Sequence, residues 1–331
     1  MAMPFSNKVG GGREDIPGLR SPSRMPWIVL VVLAIVLAGF GLKRQWTRSA
    51  RAAGMRESDV ASELGRSSVE SIQQPRSQAA GDVNASLTPS ASQLVASVRA
   101  MMGSGQIAEA RGKCFTYLSS PLPPTDRHAV EAVLGDVNTA LFFSAAPAEE
   151  KSNQVVRAGD SLEAIARRHG TTVELLQKSN GIAAPSRIRQ GDVIRVLIGR
   201  FRIEVWRSRM ELVLYLNDRF FKRYPVGIGK ESRTPLGTFT VSDRIVEPVW
   251  WRPDGRQIPF GNPENILGTR WLALRATAGT ADVKGYGIHG TWDDKSIGKA
   301  ESAGCVRMKN SDVEQLFDLV PLGTPVTILD P

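Results

Sequence analysis

The chain has 331 residues, 42% of them apolar and 23% charged, with 2 cysteines and 3 histidines. That length holds two or three domains, the balance is that of a globular protein, and two cysteines as far apart as 114 and 305 exclude a disulfide framework. The net charge of +9 does not point to nucleic acid, because nine basic and two acidic side chains fall within residues 1–56 and the remainder is close to neutral with no evident basic face.

Residues 25–42 form an uncharged run of 18 residues, roughly 27 Å as a helix and enough for one membrane crossing. We read residues 1–24 as a basic cytoplasmic leader and 25–42 as an uncleaved transmembrane anchor. A cleaved signal peptide fits less well, since the cleavage-like Ala50-Arg51-Ala52 lies well past the run, beyond Lys43, Arg44 and Arg48. Basic residues flank the run on both sides and suit anionic lipid, so charge alone leaves the orientation open. Residues 43–90, rich in Ser, Ala, Gln and Arg, read as a disordered spacer. Residues 91–146 turn helical. Leu94, Val95, Val98, Met101 and Met102 recur at helical spacing until Gly103-Ser104-Gly105. A second helix follows over 107–118, with Cys114 as a small apolar residue in it, and a third over 126–143 after the proline-rich stretch 121–124. The stretch 105–111 resembles part of a tetratricopeptide hairpin, too short to make an array.

Residues 154–198 read as a β-α-α-β unit. Gln154-Val155-Val156 opens as a strand, Gly159-Asp160-Ser161 supplies a turn and helix cap, Asn180-Gly181 stops a second helix, and 188–196 closes as an alternating strand. Val156-Arg157-Ala158-Gly159-Asp160-Ser161-Leu162, Asn180-Gly181-Ile182 and Gln190-Gly191-Asp192 resemble the LysM module. That resemblance implies binding of N-acetylglucosamine-containing glycans, with Gly159, Asp160, Ser161, Asn180, Gly181 and Ile182 at the sugar.

Residues 199–331 are β-rich, with glycine and proline in nearly every gap. Strands are expected over 201–206, 212–216, 220–228, 237–241, 271–274, 285–289 and 326–329, with Asn217-Asp218 as a hairpin turn. Asn310 or Ser311 caps one helix over 312–320, with Leu316, Phe317 and Leu319 inward. The expected fold is a sandwich or barrel-like sheet with one packed helix.

Chemistry concentrates in Tyr286-Gly287-Ile288-His289-Gly290-Thr291 and Ser302-Ala303-Gly304-Cys305-Val306-Arg307-Met308. A thiol needs a base to attack at neutral pH, and His289 lies close in sequence at the end of an expected strand. The N–H groups of Gly304 and Cys305 are candidates to hold an oxyanion, and Arg307 to bind a carboxylate or brace the loop. These two motifs, with Thr234-Pro235-Leu236-Gly237-Thr238-Phe239 and Ser296-Ile297-Gly298-Lys299, resemble the L,D-transpeptidase catalytic domain of the YkuD type over residues 200–331. Ala303 stands where many members carry histidine.

The resemblance implies that Cys305 attacks the L-to-D peptide bond of a peptidoglycan stem tetrapeptide, with His289 as base and acid. D-Alanine leaves, and the acyl group passes to an amine to form a 3→3 cross-link. Ser302, Gly290, Thr291 and Arg307 would contact substrate, and neither metal nor other cofactor is required. Water as acceptor would instead make an L,D-carboxypeptidase, and a vestigial catalytic fold would leave a peptidoglycan-binding protein. Peptidoglycan as partner implies that the domains after the anchor lie on the extracytoplasmic side of the cytoplasmic membrane.

Overall fold

The computed structural model describes residues 90–277, 279–281 and 284–330. The expected leader, anchor and all but the last residue of the spacer lie outside them. No helix among the described residues is long and apolar enough to cross a membrane.

Among the described residues three helices come first: α1 (Ala91–Gly103), α2 (Ile107–Leu118) and α3 (Pro124–Phe142). Ser90 and Gln93 start α1 with a reciprocal capping box, and Pro124 sits in the first turn of α3, where its missing N–H costs nothing. Leu94, Val98 and Met101 of α1, Ala110 and Cys114 of α2, and Val130, Val133, Leu134 and Val137 of α3 share one core. The three expected helices thus form one bundle, larger than a tetratricopeptide-like hairpin, because α3 gives its apolar face to the other two. Burial pushes the Cys114 thiol up to about 11.

The bundle is fastened by a buried polar network. Arg111 donates from Nε to Asn138 Oδ1 (2.8 Å) and from both terminal nitrogens to Glu150 (2.8 and 2.5 Å). Asn138 donates in turn to the carbonyl of Phe221 (2.8 Å). Lys151 Nζ donates to the carbonyls of Leu141, Ser144 and Ala146, closing the C-terminal end of α3.

The next unit pairs β1 (Lys151–Val155) with β2 (Val193–Leu197), antiparallel, around α4 (Leu162–His169) and α5 (Val173–Asn180). Ser161 and Thr172 cap the two helices through the N–H groups of Ala164 and Leu175, and Gly170 and Gly181 end them in the left-handed conformation that glycine tolerates. Val156, Leu162, Ile165, Leu176, Ile194 and Val196 fill the interior.

The remaining chain forms β3 (Phe201–Trp206), β4 (Glu211–Leu216), β5 (Arg219–Pro225), β6 (Ile228–Gly229), β7 (Gly237–Val246), β8 (Trp250–Trp251), β9 (Gln257–Ile258), β10 (Arg270–Ala276), β11 (Gly287–Thr291), β12 (Ala300–Ser302), β13 (Val306–Lys309), α6 (Asn310–Leu319) and β14 (Pro325–Leu329). Eight strands make one barrel-like sheet in the order β13-β11-β10-β7-β14-β3-β4-β5. Pairs β11–β13 and β14–β3 are parallel and the others antiparallel. Asn217 and Asp218 both take positive φ, as a two-residue hairpin turn requires. α6 starts two residues before the expected 312, and Asn310 does not cap it. Its Oδ1 instead accepts the N–H of Thr269 (3.1 Å) and so ties α6 to the loop before β10.

Both outer strands are met by other chain. α3 lies along β5, with Phe142 edge-on to Phe221 at 5.1 Å and Glu131 paired to Arg223. At β13, Gly227 exchanges two backbone hydrogen bonds with Arg307 (2.9 and 2.8 Å).

Candidate active site

The parallel register of β11 and β13 brings the chemistry together. His289 pairs with Arg307 and Ile288 with Val306, so Cys305, one residue before β13, falls beside Gly287. Side chains alternate along a strand, which sets His289, Arg307 and Cys305 on one face. Cys305 and His289 are then diagonal neighbours on that face.

On the other side of β11, Trp271 of β10 pairs with His289 and stacks on its ring, with centroids 5.5 Å apart and planes at 21°. Gly287 makes room for this indole, since a Cβ there would lie 2.6 Å from Trp271 Cζ2. The three polar residues open onto a cleft of about 650 Å³ walled by Trp250, Trp251, Leu267, Trp271 and Ala303, a predominantly apolar surface. The β8–β9 hairpin forms one wall. Its base is pinned by buried Asn265, which donates to the carbonyls of Pro248 and Ile258 (both 2.9 Å). Trp250 and Trp251 line the cleft, and Trp251 is exposed.

The loop carrying the thiol is held from beneath. Ser302 is buried; its hydroxyl donates to the Cys305 carbonyl (2.7 Å) and accepts the Gly304 N–H (3.1 Å). Thr234 Oγ1 donates to the Gly304 carbonyl (2.8 Å) and accepts the Gly229 N–H (2.7 Å). Arg207 holds the carbonyls of Ser232 and Thr234 and pairs with Asp330. Gly304 has φ of 147°, and any Cβ would run into the Tyr286 ring, so no other residue fits there.

Burial dominates the electrostatics. His289 is 2% exposed, and burial brings its pKa down to about 4, with Arg307 adding to the fall and the carbonyls of Gly290 and Leu267 opposing it. Cys305 is raised, again first by burial, while the Gly287 N–H and Arg307 pull it down. At neutral pH the pair is therefore a thiol beside a neutral imidazole. His289 Nδ1 lies 2.6 Å from the Gly290 carbonyl; a carbonyl only accepts, so Nδ1 carries the proton and Nε2 the free lone pair. Arg307 Nε is buried with no hydrogen-bond partner among the described residues.

Cys305, His289, Arg307 and Ser302 thus meet at one cleft, but several expected contacts take other forms. The Gly304 N–H is bonded to Ser302 and is not free for an oxyanion. Ser302 lines the cleft with both its hydroxyl bonds on the loop backbone, which makes it a brace for the loop. Gly290 and Thr291 lie outside the cleft lining. A Cβ at Gly290 would strike Asn310 Oδ1, and the Thr291 hydroxyl accepts the Asp293 N–H (3.1 Å). Thr234 and Arg207 are supports that the sequence reading gave no role, although Thr234 stands in a motif it quoted.

In the β1–β2 unit, Asp160 accepts the Arg157 N–H and pairs with Arg168, Ser161 caps α4, and Asn180 bridges to the Arg195 backbone. The side chains of Asp160, Ser161 and Asn180 therefore shape their loops. Gly159 and Gly181 are exposed at positive φ, and Ile182 packs on the unit's core.

The profile of the L,D-transpeptidase catalytic domain matches residues 200–328, and that of the LysM domain matches 155–196. YkuD of Bacillus licheniformis, which carries an L,D-transpeptidase name, is 36% identical over 180 residues, 52% of this chain and 96% of that protein. YkuD of Bacillus subtilis, named likewise, is 37% identical over 179 residues, 52% of this chain and 96% of its own length. YcfS of Escherichia coli, again under an L,D-transpeptidase name, is 30% identical over 205 residues, 55% of this chain and 62% of that protein. With a LysM domain ahead of a YkuD-type catalytic domain, the chain belongs to the L,D-transpeptidase family.

Proposed function

We propose that this chain is a peptidoglycan L,D-transpeptidase with Cys305 as nucleophile. The observation that carries the reading is the placing of Cys305, His289 and Arg307 on one face of a parallel strand pair at the wall of an apolar cleft. Sγ attacks the carbonyl carbon of the L-to-D peptide bond in a stem tetrapeptide. Its proton passes to Nε2 of His289 and then to the departing D-alanine nitrogen, as the C–N bond breaks and a thioester remains. A half-buried thiol with a raised pKa and a neutral imidazole favour transfer of the proton during attack, over a standing ion pair. The Cys305 N–H is the oxyanion donor beside the thiol, and Arg307 stabilises the sulfur as negative charge develops. An amine of a neighbouring stem then takes the acyl group, giving the 3→3 link and restoring the thiol. The LysM domain supplies contact with the glycan strand. Residues 25–42 anchor the chain in the cytoplasmic membrane, with the domains outside it and residues 1–24 inside.

The test uses purified protein and tetrapeptide muropeptides. Wild type forms cross-linked dimers and takes up one carbapenem by mass; Cys305→Ala does neither. Cross-linking that survives in Cys305→Ala removes the nucleophile from this reading, and release of D-alanine without dimers makes water the acceptor.

A further inference from the structure

Strand β10 has two faces. Trp271 points into the catalytic cleft, while its neighbour Arg270 lines a second pocket of about 470 Å³. Its walls come from both domains. Gln177 and Lys178 of α5 and the loop residues Gly181, Ile182 and Ala183 form one side, and Arg270 with Asp318 of α6 the other.

These walls are fixed to each other. The Asp318 carboxylate pairs with Lys178 and its carbonyl accepts the Thr172 hydroxyl. Arg244 donates both to Glu174 (3.1 Å) and to the Phe317 carbonyl (2.7 Å). Leu175 of α5 packs into the main core of the catalytic domain. Arg270 is held by one bond from Nη1 to the Thr269 carbonyl (2.8 Å) and lies 5.4 Å from the Phe317 ring centroid. Its Nε is buried with no partner among the described residues, and Nη2 makes no hydrogen bond among them, so the guanidinium has donors to spare at the pocket wall.

We propose that this pocket is a saccharide subsite shared between the LysM and catalytic domains. An N-acetylated hexosamine rests on Gly181–Ala183 and offers an amide or hydroxyl oxygen to the Arg270 guanidinium. The volume falls within the roughly 300–1,000 Å³ of small-ligand sites. The inference rests on the reading of the LysM domain as glycan-binding, and adds that the catalytic domain contributes a recognition residue. A glycan held here lies on the face of β10 opposite Trp271 and the catalytic cleft, so the glycan strand is fixed against the catalytic domain without entering the cleft.

The experiment titrates the full chain with a peptide-free pentamer of N-acetylglucosamine, by calorimetry and by amide and arginine Nε–H chemical shifts. The proposal expects the Gly181–Ala183 amides and the Arg270 Nε–H of wild type to shift together, and Arg270→Ala to bind about tenfold more weakly, with Arg270→Lys between the two. Shifts confined to the LysM loops of wild type, or equal affinity in a folded Arg270→Ala, overturn the shared subsite and leave the glycan-binding reading standing. No binding by wild type overturns both.

Discussion

Replacing His289 by glutamine removes a group that the fold keeps neutral. In the unfolded chain an imidazole takes up its proton near 6.5, whereas in the native state burial delays this to about 4. The depressed native value means that stability is full above 6.5 and is lost as pH falls from there towards 4. At about 1.4 kcal/mol per pK unit, the whole effect is roughly 3.4 kcal/mol, of which about 2.5 kcal/mol falls between pH 7 and 4.5. Little is lost to solvent screening, since the ring is 2% exposed. Urea unfolding of wild type and His289→Gln at the two pH values is the assay. Carboxylates titrate in both proteins, so the difference between their pH dependences isolates the imidazole. Wild type should lose about 2.5 kcal/mol more than the variant. Equal pH dependence, within about 0.5 kcal/mol, would refute the argument that His289 is buried in its neutral form.

Ser302→Ala leaves the Gly304 N–H and the Cys305 carbonyl without their partner; stability should fall by about 1–3 kcal/mol, and carbapenem acylation should slow more than thiol alkylation does. Arg111→Met strands Glu150 and Asn138 in the interior and should cost about 3–5 kcal/mol in urea unfolding, while Arg111→Met combined with Glu150→Leu recovers most of it. Arg307 lowers both Cys305 and His289, so Arg307→Met should raise both. In a pH profile of acylation, the acid limb, near pH 4 in wild type, then moves upward, and an unmoved limb would separate Arg307 from the pair.

Much of the fold was legible because its signals are local. Burial alternates along Phe201–Trp206 as the sequence does, and Asn217-Asp218, Ser161, Thr172, Gly170 and Gly181 do the turning and capping their chemistry predicts. Cys305 and His289 stood out because thiols and imidazoles are few in this chain. What the sequence hid depends on distant partners. The parallel pairing that sets His289 opposite Arg307 joins strands separated by a loop. The sequence presents Gly304 as a small residue with an open N–H, and only the folded loop shows Ser302 taking it. Likewise α3 gave no reading of function by itself; its role appears once Asn138 reaches the Phe221 carbonyl.

The bridge between Gly227 and Arg307 bears on how a peptide can enter. β13 is an outer strand, and an extended peptide could add to such an edge by backbone pairing. Gly227 already takes both the N–H and the carbonyl of Arg307, two residues from Cys305. Strand addition at that point is closed, so recognition near the thiol falls to side chains and to the aromatic hairpin. Under the proposed function, such a site would test a stem peptide's side chains and chirality more than its backbone.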